Sequence, residues 1–164
     1  MPEIRYASRR LPVPFDPDVC IELQTEEAMD ANGPSAEFVT LAFLRALNRQ
    51  DVDEMVGLMA PGHRFIDSLG NVIEGAEKLR QAWSGYFRMI PDYVIAVDET
   101  YTFGPVVVLL GTAQGTFTRD GTLRAENKWQ TPVALRARVE DGKLAEWRVY
   151  ADNEPIRKVM AKSA

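Results

Sequence analysis

The chain has 164 residues, 46% hydrophobic and 26% charged, the composition of one globular domain large enough to bury a core. A net charge of -5 with no basic stripe argues against nucleic acid or an anionic membrane as partner, and its longest apolar runs, such as 106–111, are far too short to span a bilayer. One cysteine, Cys20, and one histidine, His63, supply neither a disulfide nor the donor set of a structural zinc site, so no metal and no cofactor are expected.

No continuous apolar segment follows "RYASRR", so a secretory signal is not expected and the default compartment is the cytoplasm. "LPVPFDPDV" then places three prolines within six residues, and "ANGPS" ends the stretch in turn-forming residues. Residues 1–34 are read as an N-terminal arm, either packed on the domain or a partner subunit or left as a disordered tail, with 35–164 as the domain. Ser35 is a good N-cap, Glu37 suits the first turn, and "AEFVTLAFLRALNRQ" presents Val39, Ala42, Phe43, Ala46 and Leu47 on one helical face. Asp51 with Glu54 makes a capping-box-like start for a second helix, in which Val52, Met55, Val56 and Met59 share a face. "APGH" stops that helix and "HRFID" predicts a short strand. Beyond the "SLGN" turn a third helix is expected over about 76–90, with Leu79, Trp83, Tyr86, Phe87 and Ile90 as its stripe and Pro91 closing it.

The remainder reads as strand. "DYVIAVDETYTF", a Gly-Pro turn and "VVVLLGTAQGTFT" lead to "RDGT", a hairpin signal. "NKWQTPVALRARV" alternates, with Trp129, Thr131, Val133, Leu135, Ala137 and Val139 on one face, and "EDGK" turns the chain into "LAEWRVYAD". Three helices followed by an antiparallel meander predict an α+β domain with helices on one face of a curved sheet.

"FLRALNRQDVDEMVGLMAPGHRFIDSLGNVIEGAEKLRQAW" and "VEDGKLAEWRVYAD" resemble the opening half and the closing hairpin of the nuclear transport factor 2-like superfamily, in particular its SnoaL-like branch. The resemblance covers roughly residues 36–155. It implies a cone: three N-terminal helices close one end of a strongly curved, mainly antiparallel sheet and leave an apolar pocket inside. Because this fold carries isomerases, cyclases, dehydratases, hydrolases and non-enzymatic binding modules, the activity rests on the site residues.

His63, Phe65 and Asp67 fall on one side of an extended chain. The segment resembles ketosteroid isomerases, in which an aspartate at the place of Asp67 shuttles the proton. At the edge of an apolar pocket such a carboxylate would have its charged form disfavoured and its pKa raised. The alternative is that Asp67 caps the turn into "SLGN". His63 is either a helper to Asp67 or a histidine at an exposed corner after "APG". The isomerase's oxyanion donors correspond to Phe43 and to Leu135 (or Ala134), which cannot donate, and its supporting tyrosine to Trp83, whose indole N–H can. Steroid isomerisation is therefore not expected. Limonene-epoxide hydrolase, of the same fold, keeps an aspartate where this chain has Val149, so that activity is not expected either. Phe43, Phe65, Trp83, Phe87, Trp129, Thr131, Leu135, Trp147 and Val149 are the candidate pocket lining.

Two functions fit these residues. One is a SnoaL-like, polyketide cyclase-like enzyme performing acid/base chemistry of isomerase, cyclase or hydro-lyase type on a small hydrophobic carbonyl compound, with Asp67 as base and His63 as helper. The other is a non-catalytic ligand-binding or dimerisation module. The outer sheet face, with Arg136, Arg138, Arg148 and Tyr150, is the expected homodimer surface.

Overall fold

The structure is a computed structural model and describes residues 29–30 and 33–162. Of the N-terminal arm these include the pairing of β1 (Met29–Asp30) with β2 (Gly33–Pro34); the proline run and Cys20 lie outside the described residues.

Helix α1 (Ala36–Asn48) starts where expected, with the Ser35 hydroxyl accepting from the Phe38 N–H at 3.2 Å, and it buries the face carrying Val39, Phe43, Ala46 and Leu47. Asp51 caps α2 (Val52–Leu58) in the same way, accepting from the Glu54 N–H at 2.9 Å. The helical spacing carries Met59 into α2, but the chain is already extended there. Strand β3 (Met59–Ile66) begins at Met59, which pairs with Leu144, because Pro61 and Gly62 cannot sustain another turn. A second departure follows the turn at 67–71. β4 (Val72–Glu74) pairs antiparallel with β3 before α3 (Ala76–Met89) starts, and three residues are too few to show alternation in the sequence. α3 buries Leu79, Trp83 and Phe87.

Strands β5 (Val94–Phe103), β6 (Val106–Thr116), β7 (Lys128–Glu140) and β8 (Lys143–Ala151) complete a sheet ordered β4-β3-β8-β7-β6-β5. Every pairing is antiparallel except β3 with β8, so the sheet is mixed. The alternation of β7 appears as anticipated, with Trp129 to Val139 at odd positions all buried. "RDGT" is not a two-residue hairpin. β6 and β7 are joined by residues 117–127, where Asp120 accepts from the Thr122 N–H and the Arg124 guanidinium and a short 3-10 turn (Ala125–Asn127) follows. β6 carries two glycines that its neighbours require. A Cβ on Gly111 would sit 2.0 Å from the Ala96 carbonyl oxygen, and one on Gly115 2.3 Å from Ile90 Cγ2.

The three expected helices are joined by a fourth, α4 (Glu154–Lys162), at the C-terminal end. Asp152 accepts from the Glu154 N–H at 2.9 Å, Pro155 is tolerated in the first turn, and Val159 is buried. Among the described residues the architecture is α+β, four helices on a six-stranded mixed sheet. Its core lies between α1, α3 and the inner sheet face, where Phe43, Leu47, Leu79, Leu109, Leu135 and Trp147 are essentially inaccessible.

Candidate functional site

A cavity of about 420 Å³ opens between the inner sheet face, α3, α4 and the β3–β4 turn. Apolar and aromatic side chains supply most of its wall. Of the residues proposed from sequence, Phe65, Asp67, Trp83, Trp129, Thr131, Trp147 and Val149 line it. Phe43, Phe87 and Leu135 do not. All three are on the inward side, but they belong to the packed layer behind the cavity, Phe43 lying 4.9 Å from the Trp147 ring and Phe87 stacked on Trp83 at 5.5 Å. Periodicity selects a face; depth is set by the neighbours.

Asp67 is the one carboxylate among the described residues of the lining. It also organises the turn that follows β3: Oδ1 accepts from the Leu69 and Asn71 backbone N–H groups, both at 2.9 Å, and Oδ2 from the Asn71 amide at 2.8 Å. Partial burial pushes its pKa upward, but the hydrogen bonds from Asn71, Leu69 and Gly70 outweigh that and hold the carboxyl below its ordinary value. The rise anticipated for a carboxylate beside an apolar pocket is therefore not what its surroundings produce.

His63 is not at an exposed corner. It is fully buried, in contact with the core ring of Phe43 at 6.2 Å, and it is absent from the cavity lining. Its Nδ1 lies 2.7 Å from the Leu144 carbonyl oxygen. A carbonyl can only accept, so Nδ1 carries the hydrogen and Nε2 is a bare lone pair, buried with no hydrogen-bond partner among the described residues. Burial lowers the imidazole pKa, with the Leu144 contact and the Glu146 charge opposing more weakly. His63 and Asp67 thus do not share a site: one is buried within β3, the other stands in the turn beyond its end.

Several lining residues were not anticipated as such. Tyr86 was visible in the α3 stripe, but only as core; Tyr93 precedes β5. Burial drives both phenols far above their ordinary pKa, Tyr86 further through the neighbouring Tyr93, so both keep their protons. Trp83, Tyr86, Tyr93 and Trp129 form a series of adjoining rings with centroid separations of 5.9, 5.1 and 6.1 Å. The Trp129 indole N–H is buried without a hydrogen-bond partner among the described residues. Arg157 comes from the unanticipated α4 and Asn153 from the residue just before it, and the Asn153 amide donates to the Ser68 hydroxyl at 2.6 Å, tying the start of α4 to the Asp67 turn. Thr131 donates to the Asp152 carbonyl oxygen at 3.0 Å, a second tie between the wall and the α4 approach.

Among the described residues no three His, Cys, Asp or Glu side chains are grouped to hold a metal ion, and no helix is long and apolar enough to cross a membrane.

A family model described as a SnoaL-like domain matches residues 40–147. No curated protein matches the chain. Among solved structures, a proposed SnoaL-like polyketide cyclase from Shewanella denitrificans OS-217 superposes with a TM-score of 0.68 at 12% identity, over 77% of this chain and 97% of that one. An NTF2-like protein from Burkholderia thailandensis E264 gives 0.66 at 19% identity, covering 77% and 97%. IdmH, a proposed polyketide cyclase from Streptomyces antibioticus, gives 0.64 at 18% identity, covering 77% and 98%. At these identities the similarity is one of fold, the NTF2-like α+β arrangement of helices on a mixed sheet.

Proposed function

The chain belongs to the SnoaL-like domain family, and from that premise we propose that it is an enzyme acting by acid/base chemistry on a small, largely apolar carbonyl compound held in the cavity. The observation that carries this is the cavity itself: about 420 Å³, walled by aromatic and aliphatic side chains, with Asp67 as the sole carboxylate among its described lining residues. A core filled by side chains around Asp67 would have left no room for a substrate.

The chemistry is removal of a proton from the carbon next to the carbonyl. The base takes the proton, the C–H electron pair shifts toward oxygen as an enolate, and the enolate then determines the outcome. Return of the proton at another carbon is isomerisation, attack on a second carbonyl is cyclisation, and expulsion of a β-hydroxyl is elimination. Asp67 is the proposed base. It is ionised near neutral pH, and Oδ2, which accepts from the Asn71 amide, has a second lone pair with which to take a proton. A carboxylate held below its ordinary pKa is a weak base, so the step depends on polarisation of the carbonyl. His63, walled off behind Phe43, takes no part.

Hydrogen–deuterium exchange tests this without the natural substrate. 2-Acetylnaphthalene, with an acetyl group to exchange, is incubated in D2O with the protein and followed by NMR. Exchange faster than in buffer, lost in Asp67→Asn while binding persists, is the expected result; binding with no accelerated exchange would overturn the catalytic proposal. The last outcome corresponds to a second reading, a passive ligand-binding module, favoured by the commitment of the Asp67 carboxylate to its own turn.

A second copy of the chain is the proposed partner, docked on the outer sheet face. There Tyr150 is exposed, Arg148 lies over its ring at 4.9 Å, and Arg136 pairs with Glu146 at 2.5 Å. Sedimentation of the wild type as a dimer and of Tyr150→Glu as a monomer is expected; a monomeric wild type would refute it.

A further inference from the structure

The inner part of the cavity carries hydrogen-bond donors that the protein itself leaves unused. Trp129 is 7% exposed and lines the cavity, yet its Nε1–H has no hydrogen-bond partner among the described residues. A buried donor without an acceptor is costly, and native proteins leave few of them. Tyr93 adjoins Trp129, Tyr86 adjoins Tyr93, and both tyrosines line the same cavity. Neither hydroxyl is engaged in a hydrogen bond within the described protein, and both stay protonated because burial disfavours the phenolate. Thr131, which also lines the wall, has already given its hydrogen to the Asp152 carbonyl. The two charged residues among the described lining, Asp67 and Arg157, sit on the β3–β4 turn and on α4 rather than in this aromatic series.

We infer that the Trp129 indole N–H, together with the Tyr93 and Tyr86 hydroxyls, is the oxygen-binding end of the cavity and takes the neutral carbonyl oxygen of an aryl ketone or quinone. The inference rests on the small-carbonyl reading of the pocket and assigns the atoms that hold the ligand. An indole N–H can only donate, so its partner must be an acceptor. A carboxylate or phosphate there would be stripped of water with no cation in the series to compensate, whereas a ketone oxygen loses little and gains the missing acceptor role. The same donors strengthen their hold as charge grows on oxygen. They therefore occupy the functional place of the oxyanion donors that Phe43 and Leu135 cannot supply.

Two probes of nearly the same shape separate this from simple apolar binding: 2-acetylnaphthalene and 2-isopropenylnaphthalene, which replaces the carbonyl oxygen by a CH2 group. Calorimetry on the full chain is expected to show the ketone binding about tenfold more tightly than the hydrocarbon, the worth of one to two net hydrogen bonds. The carbonyl stretch of the bound ketone is expected at lower wavenumber than in hexane. Trp129→Phe, which keeps an aromatic ring and removes the N–H, is expected to cancel most of the ketone-over-hydrocarbon ratio and part of the spectral shift, whatever the smaller ring does to the affinity both probes share. Equal binding of the two probes to the wild type, with an unshifted stretch, would overturn this inference and leave the pocket reading standing. Failure of both probes to bind the wild type would overturn the pocket reading and this inference with it. Loss of both probes alike in Trp129→Phe would show that the ring shapes the wall without supplying the donor.

Discussion

Acid should weaken the fold through His63, and the size of the effect follows from its surroundings. The imidazole is buried against Phe43, donates from Nδ1 to Leu144, and has an unpartnered Nε2. Adding a proton would bury both a charge and an unpaired N–H, so the folded protein resists protonation and the pKa falls below the ordinary 6.5. The unfolded chain has no such resistance. As pH drops below 6.5 the unfolded state binds a proton that the folded state refuses, and folding stability declines by up to about 1.4 kcal/mol per pH unit until the lowered folded pKa is reached. Above 6.5 both states are neutral and the contribution vanishes. Urea unfolding of wild type and His63→Gln at half-unit intervals from pH 5 to 8 isolates this contribution, since His63 is the sole histidine. The variant is expected to be less stable near pH 8, because it loses a fitted ring, and to close the gap with wild type as the pH falls. Parallel curves over that range would refute the reasoning.

Three further outcomes are expected. Gly111→Ala should lower stability by about 3–5 kcal/mol, since the new methyl meets the Ala96 carbonyl oxygen and Val97 Cα, backbone atoms that cannot step aside; a melting temperature within a few degrees of wild type would contradict the packing of β5 on β6. Asn48→Ala should cost about 2–4 kcal/mol by leaving both the N–H and the carbonyl of Ile95 on edge strand β5 without their side-chain partner, read as faster amide exchange at Ile95 together with a lower urea midpoint. Asp67→Ala should cost about 1 kcal/mol at neutral pH through the half-exposed turn. Because the folded pKa of Asp67 lies below its ordinary 3.8, its ionic contribution is present above that value and disappears as pH falls through the lower folded value, so the stability gap should narrow in strong acid.

Where a single element carries enough apolar repeats, the sequence was sufficient. α1, α3 and β7 show their buried faces in the residue spacing, and the caps at Ser35 and Asp51 are local chemistry. Elements too short for a period were not legible: β4 has three residues, and α4 follows a strand closely enough for its few apolar positions to read as the strand's tail. The depth of His63 was hidden because it depends on Leu144, a partner 81 residues away. For Asp67 both alternatives were visible in "IDSLGN", and the turn bonds became apparent only with the geometry. Phe43, Phe87 and Leu135 were placed on the correct face, but which of that face borders empty space is decided by α3, α4 and the sheet together. The unused donor on Trp129 is of the same kind, since no pattern in a sequence records the absence of a partner.

The parallel pairing of β3 with β8 has a consequence for how the molecule is made. β3 lies between β4, next along the chain, and β8, nearly the last element, and Phe65 finds its register opposite Trp147 only when β8 is present. Closing so long a loop is entropically expensive and slow. During synthesis α1 emerges before β5 to β8, with Phe43 and Leu47 uncovered, and their cover waits for those later strands. The nascent chain must therefore carry exposed apolar surface until β8 and α4 have emerged, and the cavity takes shape only then.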